Sequence, residues 1–413
     1  MKSMYPYAGL PGMVNIGAGM PYYKNFPHTK LSARLHPEAP GAREVEIPLT
    51  ATDDFELKRY FQYGGAMGDP ILLDFIKHLT QKLHEPAYDS WQTIMTCGAT
   101  DAMGKVVSML LDPEDEPVMC EQFTYPAAVQ QCLMNFNSTV AVPIDDDGII
   151  PEEMERVILE NKKGKRIRVL YTVPVGQNPT GVNTSPSRKA AVMELCNKHD
   201  IILIEDDPYF HLNYEEYVPS YLHWDTQGRV LRLDTFSKTI APGSRLGYIT
   251  GNPIFIERLL RHSEISTQQP SGYVQALVSR TLVDWGVPGF EQWVHRLCED
   301  YRYRLDAVCA ALDEEDDSSH EDWTMISPNK FTYKRPAGGM FIWIRVFASD
   351  SEALWKTLVE AKVLVSPGLF YSGSSEDMEA GKDWFRVCFC AVSLDDAVAA
   401  VRTFKRIVNG FRG

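Results

Sequence analysis

The eight cysteines of this 413-residue chain show none of the spacings that bind zinc or build a disulfide framework. They lie scattered at 97, 120, 132, 196, 298, 309, 388 and 390, without one CxxC pair, and Cys388 and Cys390 alternate as two same-facing residues of a strand would. Buried, reduced thiols in a cytoplasmic protein are the expectation, with no metal. No apolar run approaches the ~20 residues that span a bilayer. The N-terminal MKSMYPYAGLPGM has no apolar stretch behind its early lysine, so no secretory signal is expected. Positive charge is in deficit: 41 Lys+Arg stand against 55 Asp+Glu, a formal net charge of −14. A polyanion would be repelled by that field, which excludes nucleic acid or an anionic membrane as the main partner. Internal repeats and low-complexity linkers are absent as well, so any domains should pack closely.

What is present is an ordinary globular composition, 44% hydrophobic, in which short apolar runs alternate with helical patterns. Candidate strands are Thr93–Thr96, Pro117–Glu121, Val140–Ile144, Ile167–Val173, Ile201–Glu205, Val230–Asp234 and Leu246–Thr250. Helices are expected over Asp101–Leu111, Ala127–Met134, Pro151–Asn161 and Ser187–His199, two of them opened by a first-turn proline. This is the signature of a mostly parallel α/β sheet. From Ile254 to about Leu312 the pattern is helical, broken by WGVPGF at 285–290. The charged run DEEDDSSHED at 313–322 reads as a solvated loop. Strand-like pieces at Thr332–Lys334, Met340–Arg345 and near Trp384–Cys390, with a helix between, suggest a smaller α+β domain.

Ligands of open α/β sheets gather at the carboxyl ends of the strands, and four ends carry suggestive residues. Ile201–Glu205 runs into Asp206–Asp207–Pro208–Tyr209, where a carboxylate serves a cation, a base or merely a turn cap. Val230–Asp234 runs into Thr235, Phe236, Ser237 and Lys238, with Arg245 close behind: an amine among anion-binding groups, or a solvated surface lysine. Thr93–Thr96 feeds a Gly98–Ala99–Thr100 turn before a helix, suited to a phosphate or to an ordinary N-cap. Ile167–Val173 ends in PVGQNPTG, a rigid turn in which turn chemistry explains all but Asn178. Together with the aromatic face of Tyr125, these are the parts needed to hold pyridoxal phosphate as a Schiff base.

With those residues in view, the chain resembles the fold-type I pyridoxal-phosphate enzymes, class I/II aminotransferases, within the aromatic, kynurenine and aminoadipate aminotransferase group. The resemblance runs from NIGAGMPYYKNFP (15–27) through YFQYGGAMGDP (60–70), TCGATDA (96–102), EQFTYP (121–126), GQNPTG (176–181), EDDPY (205–209), TFSKTIAPGSRLGY (235–248) and PAGGMFIW (336–343) to WFRVCF (384–389). It implies a large domain with a seven-stranded sheet over 46–290, and a smaller one from 1–45 and 291–413 whose N-terminal segment lies over the active site. Lys238 would form the Schiff base and shuttle the Cα proton. Asp207 would keep the pyridine nitrogen protonated, Asn178 would bond the phenolic oxygen and Tyr125 would stack on the ring. Ala99, Thr100, Thr235, Ser237 and Arg245 would hold the phosphate, with Tyr63 reaching it from the other subunit of a homodimer with shared sites. Arg386 would clamp the substrate carboxylate, a bidentate geometry lysine lacks, with Asn178, Gly19 and Tyr22 also on the substrate side.

Two departures stand out. The tyrosine that relatives carry three residues after the pyridine aspartate is here Phe210, and Ala99 replaces a phosphate-binding serine. The expected reaction is transfer of an α-amino group to a 2-oxo acid, with a bulky or aromatic substrate suggested by Met20, Pro21, Tyr22 and Tyr23. The alternatives are a carbon–sulfur β-lyase acting on cysteine S-conjugates, as in secondary metabolism, and a non-catalytic regulatory use of the fold, which an intact Lys238, Asp207 and Arg386 argue against.

Overall fold

Short runs such as VLYT and ILIED are apolar on both sides, and chains of that kind form strands that are covered on both faces. In a computed structural model of the protein, which describes residues 7, 10–14, 16–41, 43–51, 55–112, 117–161, 166–314 and 330–411, seven of them join in one sheet. In chain order these are β1 (Gln92–Thr96), β2 (Val118–Glu121), β3 (Thr139–Val142), β4 (Val169–Thr172), β5 (Ile202–Asp206), β6 (Val230–Thr235) and β7 (Gly247–Gly251). Their order across the sheet is β1-β7-β6-β5-β4-β2-β3. Only β7 runs against its neighbours; the remaining pairs are parallel. Each expected strand and helix of this region is present, with ends shifted by one or two residues.

Alternation along the strands divides the core. Ile204, Leu231 and Leu233 meet Met103, Val106 and Val107 of helix α1 (Ala99–Leu110) on one face. Leu170, Leu203 and Val230 meet Val192, Met193 and Cys196 of the helix Pro186–His199 on the other. Helix α2 (Pro126–Met134) follows β2.

A long helix, α3 (Gly272–Asp313), leaves helical geometry at Gly286, φ +60°, two residues before Pro288, inside the expected WGVPGF break. Its last turns, with Leu305, Val308 and Leu312, pack under a second, four-stranded antiparallel sheet. That sheet comprises β8 (Phe331–Tyr333), β9 (Phe341–Val346), β10 (Ser366–Pro367) and β11 (Trp384–Cys388), and it forms the smaller α+β domain. The charged run falls largely at 315–322, outside the described residues. A hairpin, Lys30–Arg34 with Glu44–Pro48, was not foreseen; Ile47 from it is buried with Leu57, Tyr60 and Ala276.

Candidate active site

A cleft of about 310 Å³ opens where the carboxyl ends of β1, β4, β5 and β6 meet the smaller sheet. One end is built for an anion. After β1 the chain turns through Gly98, φ +89°, into α1, and a Cβ there would stand 2.7 Å from the Arg245 guanidinium. Arg245 sits at φ +45°, a left-handed conformation rare for a residue with a side chain. It donates to Ser237 Oγ at 3.4 Å and to the carbonyls of Pro242 and Cys97 at 3.2 and 3.5 Å. The Thr235 and Ser237 hydroxyls are 2.8 Å apart. The first-turn N–H groups of α1 lack intrahelical acceptors, so helix end, two hydroxyls and one guanidinium together form a phosphate-sized cradle lined by Ala99 and Thr100.

Lys238 lines the middle of the cleft, its Nζ 6.0 Å from the centre of the Tyr209 ring. Burial holds its amine below the usual lysine range; the guanidinium groups of Arg386 and Arg245 act in the same direction, and Cys388 and Cys390 oppose them. Tyr125, at the N-cap of α2, forms a wall. At the far end Arg386 of β11 donates from Nη1 to Asn178 Oδ1 at 2.7 Å. Its guanidinium lies 4.0 Å from the Phe341 ring centre and 4.8 Å from that of Tyr371. Its Nε is buried and unpartnered among the described residues. Sandwiched between rings and short of acceptors, Arg386 is ready to receive a carboxylate.

The aspartate expectation needs correction. Side chains alternate along β5, so Asp206 and Asp207 leave the strand on opposite faces. Asp206 lines the cleft. Its Oδ2 accepts from the Tyr171 hydroxyl at 2.7 Å, and its buried Oδ1 has no protein partner among the described residues. Burial pushes its carboxyl up to about 6, with the Asp207 charge adding and the Tyr171 hydrogen bond opposing. Asp207 lies on the other face, where Arg232 Nη1 donates to it at 2.9 Å and stands 3.2 Å from Glu205, while the rest of the guanidinium forks onto Asp234 at 2.8 and 2.9 Å. One Asp207 oxygen is also unbonded, but it does not face the cleft.

The same one-residue shift removes the tyrosine departure. Tyr209, three residues after Asp206, lines the cleft. Phe210 is buried behind it, 4.5 Å from the His84 ring, stacked on Tyr217 and under Arg232. The spacing already carried this signal: counting back three from the only tyrosine of EDDPY reaches Asp206, not Asp207. Phe341 and Tyr171 were missed too; nothing in sequence separates them from other strand aromatics.

The structure brings Ala99, Thr100, Tyr125, Asn178, Thr235, Ser237, Lys238, Arg245 and Arg386 together. Tyr22 and Tyr63 lie elsewhere, on a second groove of about 820 Å³ with Met20, Pro21 and Gln269. Tyr63 is 62% exposed. Gly19 is exposed, with nothing within 4 Å of where a Cβ would stand.

An unpartnered carboxylate oxygen, an amine held toward its neutral form and an anion cradle in one cleft fit pyridoxal phosphate: a ring N–H for Asp206, an aldehyde for Lys238, a phosphate for the helix end. Comparison with known proteins agrees. Residues 49–404 match the family described as aminotransferase class I and II. The chain is 31% identical to an aromatic amino acid aminotransferase of Schizosaccharomyces pombe, over 96% of this chain and 89% of the relative. The crystal structure of aminotransferase Aro8 from Candida albicans superposes with a TM-score of 0.88 at 30% identity, covering 98% of this chain and 94% of that one. A kynurenine aminotransferase of Pyrococcus horikoshii, solved in complex with PMP, gives a TM-score of 0.76 at 27% identity over 85% and 83% of the two chains.

Proposed function

The chain belongs to the class I and II aminotransferases and is a pyridoxal-phosphate-dependent enzyme acting on amino acids; from that premise we propose that it moves the α-amino group of a bulky or aromatic amino acid to a 2-oxo acid, at the cleft around Lys238. The observation that carries this is the convergence of Lys238, Asp206 and Arg386 on one cleft walled by Tyr125, Tyr209 and Phe341. The bound cofactor supplies an electrophilic carbon for the amino group and a ring that accepts charge as the Cα–H bond breaks.

The chain's own residues do the rest. The α1 N-terminus, Thr235, Ser237 and Arg245 would anchor the phosphate. Asp206 Oδ1 would accept from the ring nitrogen and keep it protonated, the role the resemblance gives to Asp207. Because Asn178 Oδ1 is taken by Arg386, its Nδ2 would be left to donate to the phenolic oxygen, alongside the Tyr209 hydroxyl. Arg386 receives the substrate carboxylate and so holds Cα within reach of Lys238 Nζ, which takes the proton and returns it. Positioning of this kind can supply several kcal/mol of a barrier.

The groove carrying Tyr22 and Tyr63, with exposed Met20, is the surface we assign to a second copy, giving a homodimer with shared sites; a monomeric mass in solution by light scattering would contradict it. The division into 46–290 and two flanking segments stays our proposal: the break at Gly286 supports a boundary near 290, while the strand Glu44–Pro48 runs across 45/46. Eight unpaired thiols suit the cytoplasm, and no helix among the described residues is long and apolar enough to cross a membrane. The test is a screen of aromatic, aliphatic and acidic amino donors against several 2-oxo acids, with Lys238→Ala as control. Aromatic donors should turn over fastest, only with an oxo acid present, and the control should be inactive. Turnover without an oxo acid, or in the control, overturns the reading.

A further inference from the structure

Among the described residues, Asp206 is a buried carboxylate with no cation of its own. The guanidinium whose charge reaches it, that of Arg232, is engaged on the opposite face by Glu205, Asp207 and Asp234. Among the described residues the one hydrogen bond to the Asp206 carboxylate comes from Tyr171, whose ring is 1% exposed. The topology explains the meeting. β4 and β5 run parallel with Tyr171 opposite Ile204, so Tyr171, Ile204 and Asp206 share a face, and a tyrosine is long enough to reach one rung further along the neighbouring strand.

We propose that Tyr171 is a positioning residue: by occupying Oδ2 it fixes the Asp206 carboxylate with Oδ1 toward the cleft and favours its ionised form. This rests on the reading of Asp206 as the partner of the ring nitrogen. A hydrogen bond donated to a carboxylate stabilises the anion more than the acid, and here it works against burial and the neighbouring Asp207 charge. Tyr171 stays a donor throughout, because burial, with Asp206 adding, raises its own hydroxyl well above the ordinary range.

Other groups that face the pair are accounted for. Asp207 and Arg232 act through the sheet, Tyr209 and Lys238 stand on the cleft side, and Tyr125 and Glu121 lie toward Tyr171. Glu121, pushed up to about 7 by burial, accepts from Thr172, Val173, Gln177 and Thr124 rather than from Tyr171.

The experiment is Tyr171→Phe in the holoenzyme, which removes one hydroxyl and keeps the ring. The acid limb of the kcat/KM–pH profile should move up by about one pH unit, roughly tenfold less activity below it, and pyridoxal phosphate should be lost about tenfold faster on dialysis. A merely structural tyrosine would lower Tm and leave the limb in place. Should Tyr171→Phe not fold, 3-fluorotyrosine at position 171, a stronger donor, should move the limb down. Asp206→Asn separates the two claims. If it is crippled while the Tyr171 variants leave limb and cofactor loss unmoved, the positioning role is overturned; if it is fully active, the reading of Asp206 falls.

Discussion

At the carboxyl ends of β5 and β6 the two faces of one sheet handle buried acid in opposite ways. On the far face Glu205, Asp207 and Asp234 surround Arg232, which is 1% exposed, and the guanidinium bonds or pairs with all three. On the cleft face Asp206 has a hydroxyl on one oxygen and, among the described residues, no partner on the other. A buried ion pair that carries its own counter-charge is structural; breaking it leaves an uncompensated charge. Among the described residues both aspartates have one unbonded oxygen, but Asp207 has a counter-charge in Arg232, whereas Asp206 has none and lines the cleft, which suits it to a cationic ligand. Two adjacent, chemically identical aspartates thus meet different partners because the backbone sends them to different surroundings.

The strongest attempt to break this contrast pairs Asp206→Asn with Asp207→Asn. The first should lower kcat about 10²–10³-fold by removing charge stabilisation at the ring nitrogen. The second should leave kcat within about tenfold and instead lower Tm, as Arg232 loses a partner. Reversed outcomes in steady-state kinetics would return Asp207 to the cofactor.

Stability of the cofactor-free protein sharpens it further. The Asp206 carboxyl is raised from its model-peptide range to about 6 by burial, so between about 3.8 and 6 the folded state holds a proton that the unfolded state releases. Its contribution is full at acid pH and lost as pH rises through 6. In chemical denaturation, Asp206→Asn should therefore gain on wild type by up to about 3 kcal/mol from pH 4 to pH 7, and an unchanged difference would count against a burial-strained carboxylate.

The smallest effect concerns the next pair along the chain. Tyr209→Phe removes one donor at the cleft and should cost about tenfold or less in kcat/KM while shifting the pH dependence of the visible absorbance. Phe210→Tyr puts a hydroxyl among His84, Tyr217 and Arg232, and should cost about 1–3 kcal/mol of stability with the spectrum unmoved. A spectral shift from Phe210→Tyr, and none from Tyr209→Phe, would invert the assignment.

Much of this was legible in the chain. The apolar runs around Val169–Thr172, Ile202–Asp206 and Val230–Thr235 read as buried strands because a sheet covered on both faces needs apolar residues at every position. Lys238, Arg245, Asn178, Tyr125 and Arg386 sit in local motifs whose composition is unusual enough to recognise. The aspartate was misread by one residue because motif recognition locates a segment, and a slip of one along a strand exchanges the faces. Phe341 was silent, since an aromatic in a strand looks the same whether it packs a core or backs a guanidinium. Tyr63, Tyr22 and Gly19 belong to surfaces that one chain does not bring to the cleft.

Residue types and their order along the chain thus determined the sheet, the cofactor class and the candidates for the amine, the anion cradle and the carboxylate clamp, because these depend on local patterns. Which of two neighbouring aspartates faces the cleft, which hydroxyl holds it and where Arg232 spends its charge were decided only by the tertiary structure. Those depend on the face of a strand and on which residue of the next strand stands alongside, and neighbouring strands are brought together only by the fold.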